Sequence, residues 1–242
     1  VYKRQVEAVK PYYDRFLKEF PTITDLANAK EDRLMKLWEG LGYYNRVRNM
    51  QKAAIQMVEQ YGGQFPESYE EIHALKGIGN YTAGAIGSFA FGIPKPAVDG
   101  NVLRVVSRIL AIREDIMKAK VRTEIETALE EVIPKDCPGD FNQGLIELGA
   151  IVCVPNGEPK CEICPAAEIC RARKEGIAME LPVKTKAKER KIEKRTVLVF
   201  HDSDTLAIQK RPDKGLLAGL YELPNLEGWL SQQEVIEYSK SI

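Results

Sequence analysis

Asp99 is the carboxylate of this chain whose setting points most directly to chemistry. It follows a proline-rich approach (Pro94, Pro96) and stands immediately before a predicted helix, Gly100 to Ile112. An aspartate there commonly does no more than cap the helix. Upstream, Gly77-Ile78-Gly79 reads as a tight turn in which two glycines permit φ > 0 and a close approach of the backbone. Asn80, Tyr81 and Thr82 then open a helix of small residues, so unpaired N–H groups are expected beside an exposed hairpin. That is an anion site, and a nucleic-acid phosphate is the obvious anion. Ser68-Tyr69-Glu70-Glu71 has the capping-box form and starts the helix leading into the hairpin. Each feature taken singly reads as a turn or a cap. Their order (helix, Gly-x-Gly hairpin, helix, carboxylate) is what points to a site.

A second set of reactive residues follows. Cys153, Cys161, Cys164 and Cys170 give the spacing C-x7-C-x2-C-x5-C among Pro155, Pro159 and Pro165. Four thiols so close together in a chain expected in the cytosol argue for a metal centre rather than disulfides. Zinc is the generic reading, although a four-Cys zinc site more commonly has two C-x2-C pairs. One such pair flanked by single cysteines suits one [4Fe–4S] cluster better. Cys137 stands outside the spacing and reads as a simple buried or free thiol. A third segment, GLGYYNRVRN, sets Tyr43 and Tyr44 on a glycine-broken turn beside Arg46 and Arg48. It has the chemistry to wedge a base stack and hold the flanking phosphates. A packed tyrosine pair with solvated arginines is an equal reading of the same residues.

The elements that must position these residues are mostly helical. Val1 to Phe20 reads as the remainder of a helix, and Glu31 to Glu39 as another with Leu34, Leu37 and Trp38 on one face. After the Gly40-Leu41-Gly42 break, Val47, Met50, Ala54, Met57 and Tyr61 recur at helical spacing until Gly62-Gly63, and read as core. Further helical patterns cover Val102 to Ile112, Val121 to Ile133 and Phe141 to Cys153. From Val183 to Arg195, seven basic residues (Lys184, Lys186, Lys188, Arg190, Lys191, Lys194, Arg195) stand against Glu189 and Glu193. Such a run is usually a solvated connector. Between DNA-facing domains it would also follow a nucleic-acid backbone. Beyond it, Thr196 to Phe200 and Leu206 to Ile208 read as strands about a turn at His201 to Asp204.

With 242 residues and 44% hydrophobic content, the chain can bury one large domain or two modest ones. No apolar run approaches membrane-span length, and Val1-Tyr2-Lys3-Arg4-Gln5 lacks the apolar core of a signal peptide. No membrane partner is therefore expected. The absence of a starting Met reads as a fragment. Balanced charge, 35 basic against 35 acidic residues, counts against a nucleic-acid partner, whose usual footprint is a basic surface. Only its distribution can restore that partner.

LKGIGNYTAGA followed by VDGNVLRV resembles the helix–hairpin–helix DNA glycosylases, and more closely the MutY-type adenine DNA glycosylases. The Asp-Gly-Asn of Asp99, Gly100 and Asn101 has the form seen there, as does Tyr81, where the endonuclease III branch carries lysine. Two departures stand out: Lys76 where proline is common, and seven residues rather than six in the first cysteine gap (Val154 to Lys160). Gly215 to Pro224 resembles the start of the Nudix-like domain of the same enzymes, without a complete hydrolase box of glutamates.

The resemblance implies a mainly α protein: a two-lobed helix–hairpin–helix core with an iron–sulfur cluster loop, then the beginning of an α+β Nudix-like domain. The expected boundaries are a six-helix lobe over 1–95, a helical lobe with the cluster loop over 96–181, a basic linker over 182–195 and a partial Nudix-like domain over 196–242. It implies a monomer in the bacterial cytosol that binds double-stranded DNA containing A:8-oxoguanine or A:G mispairs. In this reading Gly77, Ile78, Gly79, Asn80 and Thr82 hold phosphates, and Tyr43, with Arg46 and Arg48, works beside the target pair. The four cysteines hold the cluster, which pins a loop rather than taking part in hydrolysis.

Cleaving an N-glycosidic bond builds positive charge on the sugar and negative charge on the departing base. Asp99 is the candidate to stabilise or bond the oxocarbenium ion, with Tyr81 and Asn101 orienting it and the water. A lyase would need a lysine amine, which Tyr81 cannot supply. The proton donor of the family aligns just upstream of Val1, and Glu7 lies past that position, so this stretch of chain is expected to be nearly inactive. The competing readings are an endonuclease III-like glycosylase/lyase and a non-catalytic iron–sulfur protein that binds lesions.

Overall fold

A computed structural model describes residues 6–185 and 191–241, the side chains of residues 6–8 excepted. The described chain divides into two units, 1–185 and 186–242. In the first, ten α-helices follow in order among the described residues: α1 Val6–Glu19, α2 Ile23–Ala27, α3 Glu31–Trp38, α4 Asn45–Tyr61, α5 Tyr69–Ala74, α6 Asn80–Phe91, α7 Gly100–Leu110, α8 Ala119–Val132, α9 Pro138–Glu147 and α10 Arg171–Lys174. No helix among the described residues is long and apolar enough to cross a membrane.

The apolar stripes read from the sequence make distinct cores. Phe20, Leu34 and Val47 pack with Phe16, Leu26 and Trp38. Ala53, Met57 and Leu75 pack with Tyr61, Phe65 and Ile78. Farther along, Val102, Leu103 and Val106 of α7 close on Val121, Ile125 and Leu129 of α8, with Phe141 and Leu145 of α9 against them. Met50 departs from the expected core set: it is 40% exposed, because its position on α4 falls beside the stripe that Val47, Ala54 and Met57 bury. Helices α2 and α10 and a helix near the end of the chain add to those the sequence predicts. Thr22 caps α2 through Asp25 in a full capping box, a signal present in the sequence but attached to only five residues.

The C-terminal unit holds three two-stranded antiparallel pairs. β1 Arg195–Val197 pairs with β6 Asn225–Glu227, β2 His201–Asp202 with β3 Thr205–Leu206, and β4 Gln209–Lys210 with β5 Tyr221–Glu222. The first strand is thus shorter than Thr196 to Phe200. His201 and Asp202 enter a hairpin whose turn narrows to Ser203 and Asp204, because a two-residue connection fixes the pairing of its flanks. Helix α11, Gln232–Lys240, closes the unit behind a Ser231–Glu234 capping box. Leu198 is the buried apolar side chain among this unit's described residues, while Ile192, Leu216 and Trp229 are largely exposed. Of the basic run, Lys191 and Arg195 both pair with Glu193, and Lys194 lies over the Trp229 ring. Lys186, Lys188, Glu189 and Arg190 lie outside the described residues, as do Val1 to Gln5 and the side chain of Glu7.

Candidate active site

The hairpin between α5 and α6 is built from the inside out. Ser68 caps α5 by accepting from the Glu71 N–H, as its sequence form requires. Ile78 at the tip turns inward onto the Ala53, Met57 and Leu75 cluster, and its N–H donates to Leu75 O at 3.2 Å. Gly77 takes φ +79°, and a Cβ there would lie 2.5 Å from the Asn49 side chain, so both sterics and conformation demand glycine. Gly79 differs from the expectation of φ > 0. It is extended (φ −99°, ψ 178°) and serves as the N-cap of α6. A Cβ at Gly79 would meet no neighbouring atom within 4 Å. Nothing inside the protein requires glycine there; open surface lies above it. Gly79 has no side chain to cap α6, so the first N–H groups of that helix face outward beside the exposed Asn80. Asn80 is itself oriented, its amide oxygen 2.9 Å from His73 Nε2 and its Nδ2 donating to Glu126 of α8 at 3.1 Å. The departure at Lys76 has a use: its N–H donates to Gln56 Oε1 at 3.0 Å, a bond proline cannot make.

Asp99 caps α7 and is held in one orientation. Its Oδ1 accepts from the Asn101 N–H at 2.7 Å and the Val102 N–H at 2.9 Å, and its Oδ2 from Asn101 Nδ2 at 2.9 Å. The bland reading of Asp99 as a cap is therefore correct, and it leaves the carboxylate partly open beside Tyr81. The approach to it is fixed as well. Buried Asn142 accepts from the Ala97 N–H and donates to Lys95 O and Ser88 Oγ, and Gly84 of α6 lets the Pro96 carbonyl lie where a Cβ would collide at 2.1 Å. The Tyr81 hydroxyl is pushed above its ordinary pKa by burial first and by the Asp99 carboxylate second, with Arg46 opposing. It stays a neutral hydroxyl at physiological pH. The first turn of α6, with Val98, Leu103, Arg122 and Glu126, lines a cleft of about 400 Å³.

Tyr43 takes φ +51° and is 61% exposed, with the Arg46 guanidinium 5.0 Å from its ring centroid. Arg48 is not brought to the same place. It donates to Glu31 at 2.9 Å and its side chain is only 18% exposed, so the structure gives it to the α3–α4 contact.

Two residues escaped the sequence reading, because VLRVVSR looks like a helix with solvent-facing arginines. Arg104 and Arg108 are buried. Buried guanidinium groups need partners, and both find them far along the chain. Arg104 donates to Asn101 Oδ1 at 2.9 Å, Gly149 O at 2.5 Å and Cys153 O at 2.7 Å. Burial lowers its pKa, with Cys153 and Asp99 acting against that. Arg108 donates to Leu181 O at 2.9 Å and to Cys153 Sγ at 3.2 Å.

The four spaced cysteines line one cavity together with Val105, Arg108, Leu148 and Pro159. Burial, then the neighbouring Cys170, Cys153 and Cys164, push the Cys161 thiol up. That mutual repulsion is what a bound metal centre relieves. Among the described residues, no three His, Cys, Asp or Glu side chains converge closely enough to hold a single metal ion. The four thiols lining one cavity are donors of the kind that hold a metal centre. The seven-residue gap is absorbed by a loop whose ends meet, Lys160 N–H donating to Val152 O at 3.0 Å. Cys137 is exposed and apart from this cavity.

Comparison with known proteins agrees with the helical architecture. Residues 3–135 match the family described as HhH-GPD superfamily base excision DNA repair protein. An adenine DNA glycosylase of Schizosaccharomyces pombe is 34% identical over 98% of this chain, and the chain spans 61% of that relative's length. A relative of the same name from Homo sapiens is also 34% identical, over 95% of the chain and 50% of its own length. Among solved structures, an endonuclease III–DNA complex superposes with a TM-score of 0.60 at 30% identity, covering 70% of this chain and 77% of that one.

Proposed function

Because the chain belongs to the HhH-GPD superfamily of base excision DNA repair proteins, we propose that it holds the catalytic core of a monofunctional adenine DNA glycosylase. The substrate is adenine mispaired with 8-oxoguanine or guanine in duplex DNA, and the bond broken is the N-glycosidic bond. The relatives' shared name supports the reaction class, and one observation carries the assignment of residues: the Asp99 carboxylate held by three hydrogen bonds beside the Tyr81 hydroxyl.

The reaction builds positive charge on the sugar as the base departs. A carboxylate already fixed in place stabilises that charge without reorganising at the moment of reaction. Asp99 is that carboxylate. Asn101 holds it through Nδ2 while its own oxygen is held by Arg104, so the turn is braced from behind. Tyr81, kept as a hydroxyl, orients the water or the carboxylate. Formation of a Schiff base would need an amine where Tyr81 stands, so strand cleavage is not part of the reaction. The uncapped start of α6, with Gly77, Ile78, Gly79, Asn80 and Thr82, takes a DNA phosphate on its backbone N–H groups. Tyr43, with Arg46 over its ring, enters the stack beside the target pair, and a mispaired adenine costs less to extrude than a paired one. Arg48, paired with Glu31 at the start of α3, is the second basic group beside the turn for a flanking phosphate.

Cys153, Cys161, Cys164 and Cys170 would hold one [4Fe–4S] cluster. When bound, it would tie the segment from Cys153 to Cys170 to itself and would supply no step to a hydrolysis. Arg108 steadies that loop through Cys153 Sγ. Residues 196–242 belong to a Nudix-like domain in this reading.

The test is single-turnover adenine release from an A:8-oxoguanine duplex, by this chain and by one carrying the relatives' sequence upstream of Val1. Release that Asp99→Asn abolishes, with no borohydride-trapped adduct and no strand cleavage, is the expected result. Tight duplex binding without release by either chain would instead support a lesion-binding protein, and a trapped adduct would support a lyase.

A further inference from the structure

We propose that Trp38 is a positioning residue that sets the direction of Tyr43, an inference that rests on the reading of Tyr43 as the wedge. Helix α3 ends at Trp38 and α4 begins at Asn45, so the chain must reverse within a few residues. It does so with Gly40 at φ +92°, Gly42 at φ +71° and Tyr43 at φ +51°. The first two are glycines, for which this conformation is ordinary. An aromatic residue there is strained, and such strain persists only where the surroundings dictate it.

The dictating contact is the indole. Trp38 Nε1 donates to Gly42 O at 2.9 Å. That carbonyl and the Tyr43 nitrogen belong to one planar peptide group, so fixing the carbonyl fixes the plane from which Tyr43 departs. On the other side, the Arg46 N–H donates to Tyr43 O at 2.8 Å, and Leu41 N–H returns to Trp38 O at 3.1 Å. The indole cannot drift, because its ring meets Phe16 edge-on at 6.0 Å within the Phe20, Leu34 and Val47 core. The Tyr12 hydroxyl fills the space that a side chain at Gly40 would need, 2.7 Å from its Cβ position. The core of the protein therefore reaches out through one N–H group to hold the peptide behind an exposed ring. Packing alone would be served by a phenylalanine at 38; the polar atom of the indole serves the turn. A wedge whose backbone is set before DNA arrives does not have to be ordered on binding.

The experiment uses this chain, a mispaired duplex with 2-aminopurine beside the target adenine, and fluorescence at saturating protein, which reads unstacking and needs no excision. Trp38→Phe removes the N–H and keeps a ring in the core. The fluorescence rise is expected to fall at least about twofold with the fold intact, and Trp38→Phe should add no further loss in a Tyr43→Ala background. If Trp38→Phe disturbs folding, benzothienylalanine at position 38, which keeps the shape of the indole without its N–H, gives the same reading. A full rise without the N–H overturns the proposal, and so does an equal loss in both backgrounds. No rise with the unsubstituted chain overturns the wedge reading itself, and this inference with it, which separates the two failures.

Discussion

Helices α6 and α7 begin near one another and in opposite ways. The first turn of α6 follows Gly79, carries no side-chain cap, and turns its N–H groups to open surface. The first turn of α7 follows Asp99, whose carboxylate accepts from two of those groups and from Asn101 Nδ2. Any helix start attracts an anion, through its free donors and its dipole. The protein supplies the anion of α7 itself and leaves that of α6 to be supplied from outside. In the function proposed above, the difference separates binding from chemistry: one end would take a phosphate, and the other would present a fixed negative charge to a developing cation.

The sharpest way to break this contrast is to remove the charge from α7 while keeping its cap. Asparagine caps about as well as aspartate, so Asp99→Asn should fold normally and bind the mispaired duplex. Its single-turnover release of adenine should fall by about 10²–10³. Removing the brace behind the carboxylate comes next. Arg104→Met leaves the Gly149 and Cys153 carbonyls and the Asn101 side chain without their donor. We expect a loss of about 3 kcal/mol, which calorimetry should read as a Tm lowered by roughly 6–12 °C.

The reverse experiment fills the open helix. Gly79 has dihedral angles that aspartate adopts readily, so Gly79→Asp would give α6 an anion of its own. Duplex affinity should fall by about tenfold and the slope of log K against log salt by about 0.9, as one phosphate contact is lost. The smallest effect belongs away from both helix starts. Asp115 accepts from the Thr185 N–H and hydroxyl and from the Met117 N–H, and these bonds, the Thr185 hydroxyl first, hold its pKa below the ordinary value. The ionised acceptor is the favoured form in the fold. The clip is therefore complete above about pH 3.9 and is lost as pH falls through the lower value that Asp115 has in the fold. Exchange of the Thr185 amide should speed up over that window and not in Asp115→Asn, with DNA binding at neutral pH unchanged in the variant.

Much of this contrast was legible in the chain, for reasons tied to local rules. Ser68, the Gly-x-Gly hairpin and Asp99 act within a few residues of themselves, so their types and spacing disclosed the helix starts. The four cysteines declared a common site by spacing alone. What stayed hidden depends on distant partners. Arg104 and Arg108 follow the pattern of surface residues, and only carbonyls at Gly149, Cys153 and Leu181 explain their burial. The pairing of Arg48 was hidden for the same reason, since its partner Glu31 lies on another helix. Gly79 was credited with a positive φ that Gly77 alone of the pair adopts, because a turn motif does not say which glycine bends. Helices α2 and α11 had their capping boxes in plain view, but the five residues of α2 are too few to show a helical period.

The central claim is that Asp99 serves chemistry while the start of α6 serves binding. The most direct test measures adenine release in a single turnover at saturating enzyme, side by side for Asp99→Asn and Gly79→Asp, on the chain extended upstream of Val1. The account predicts that Asp99→Asn stays bound and releases adenine about 10²–10³ more slowly, whereas Gly79→Asp, once saturated, releases it at close to the unsubstituted rate. Release by Asp99→Asn at the unsubstituted rate would contradict it.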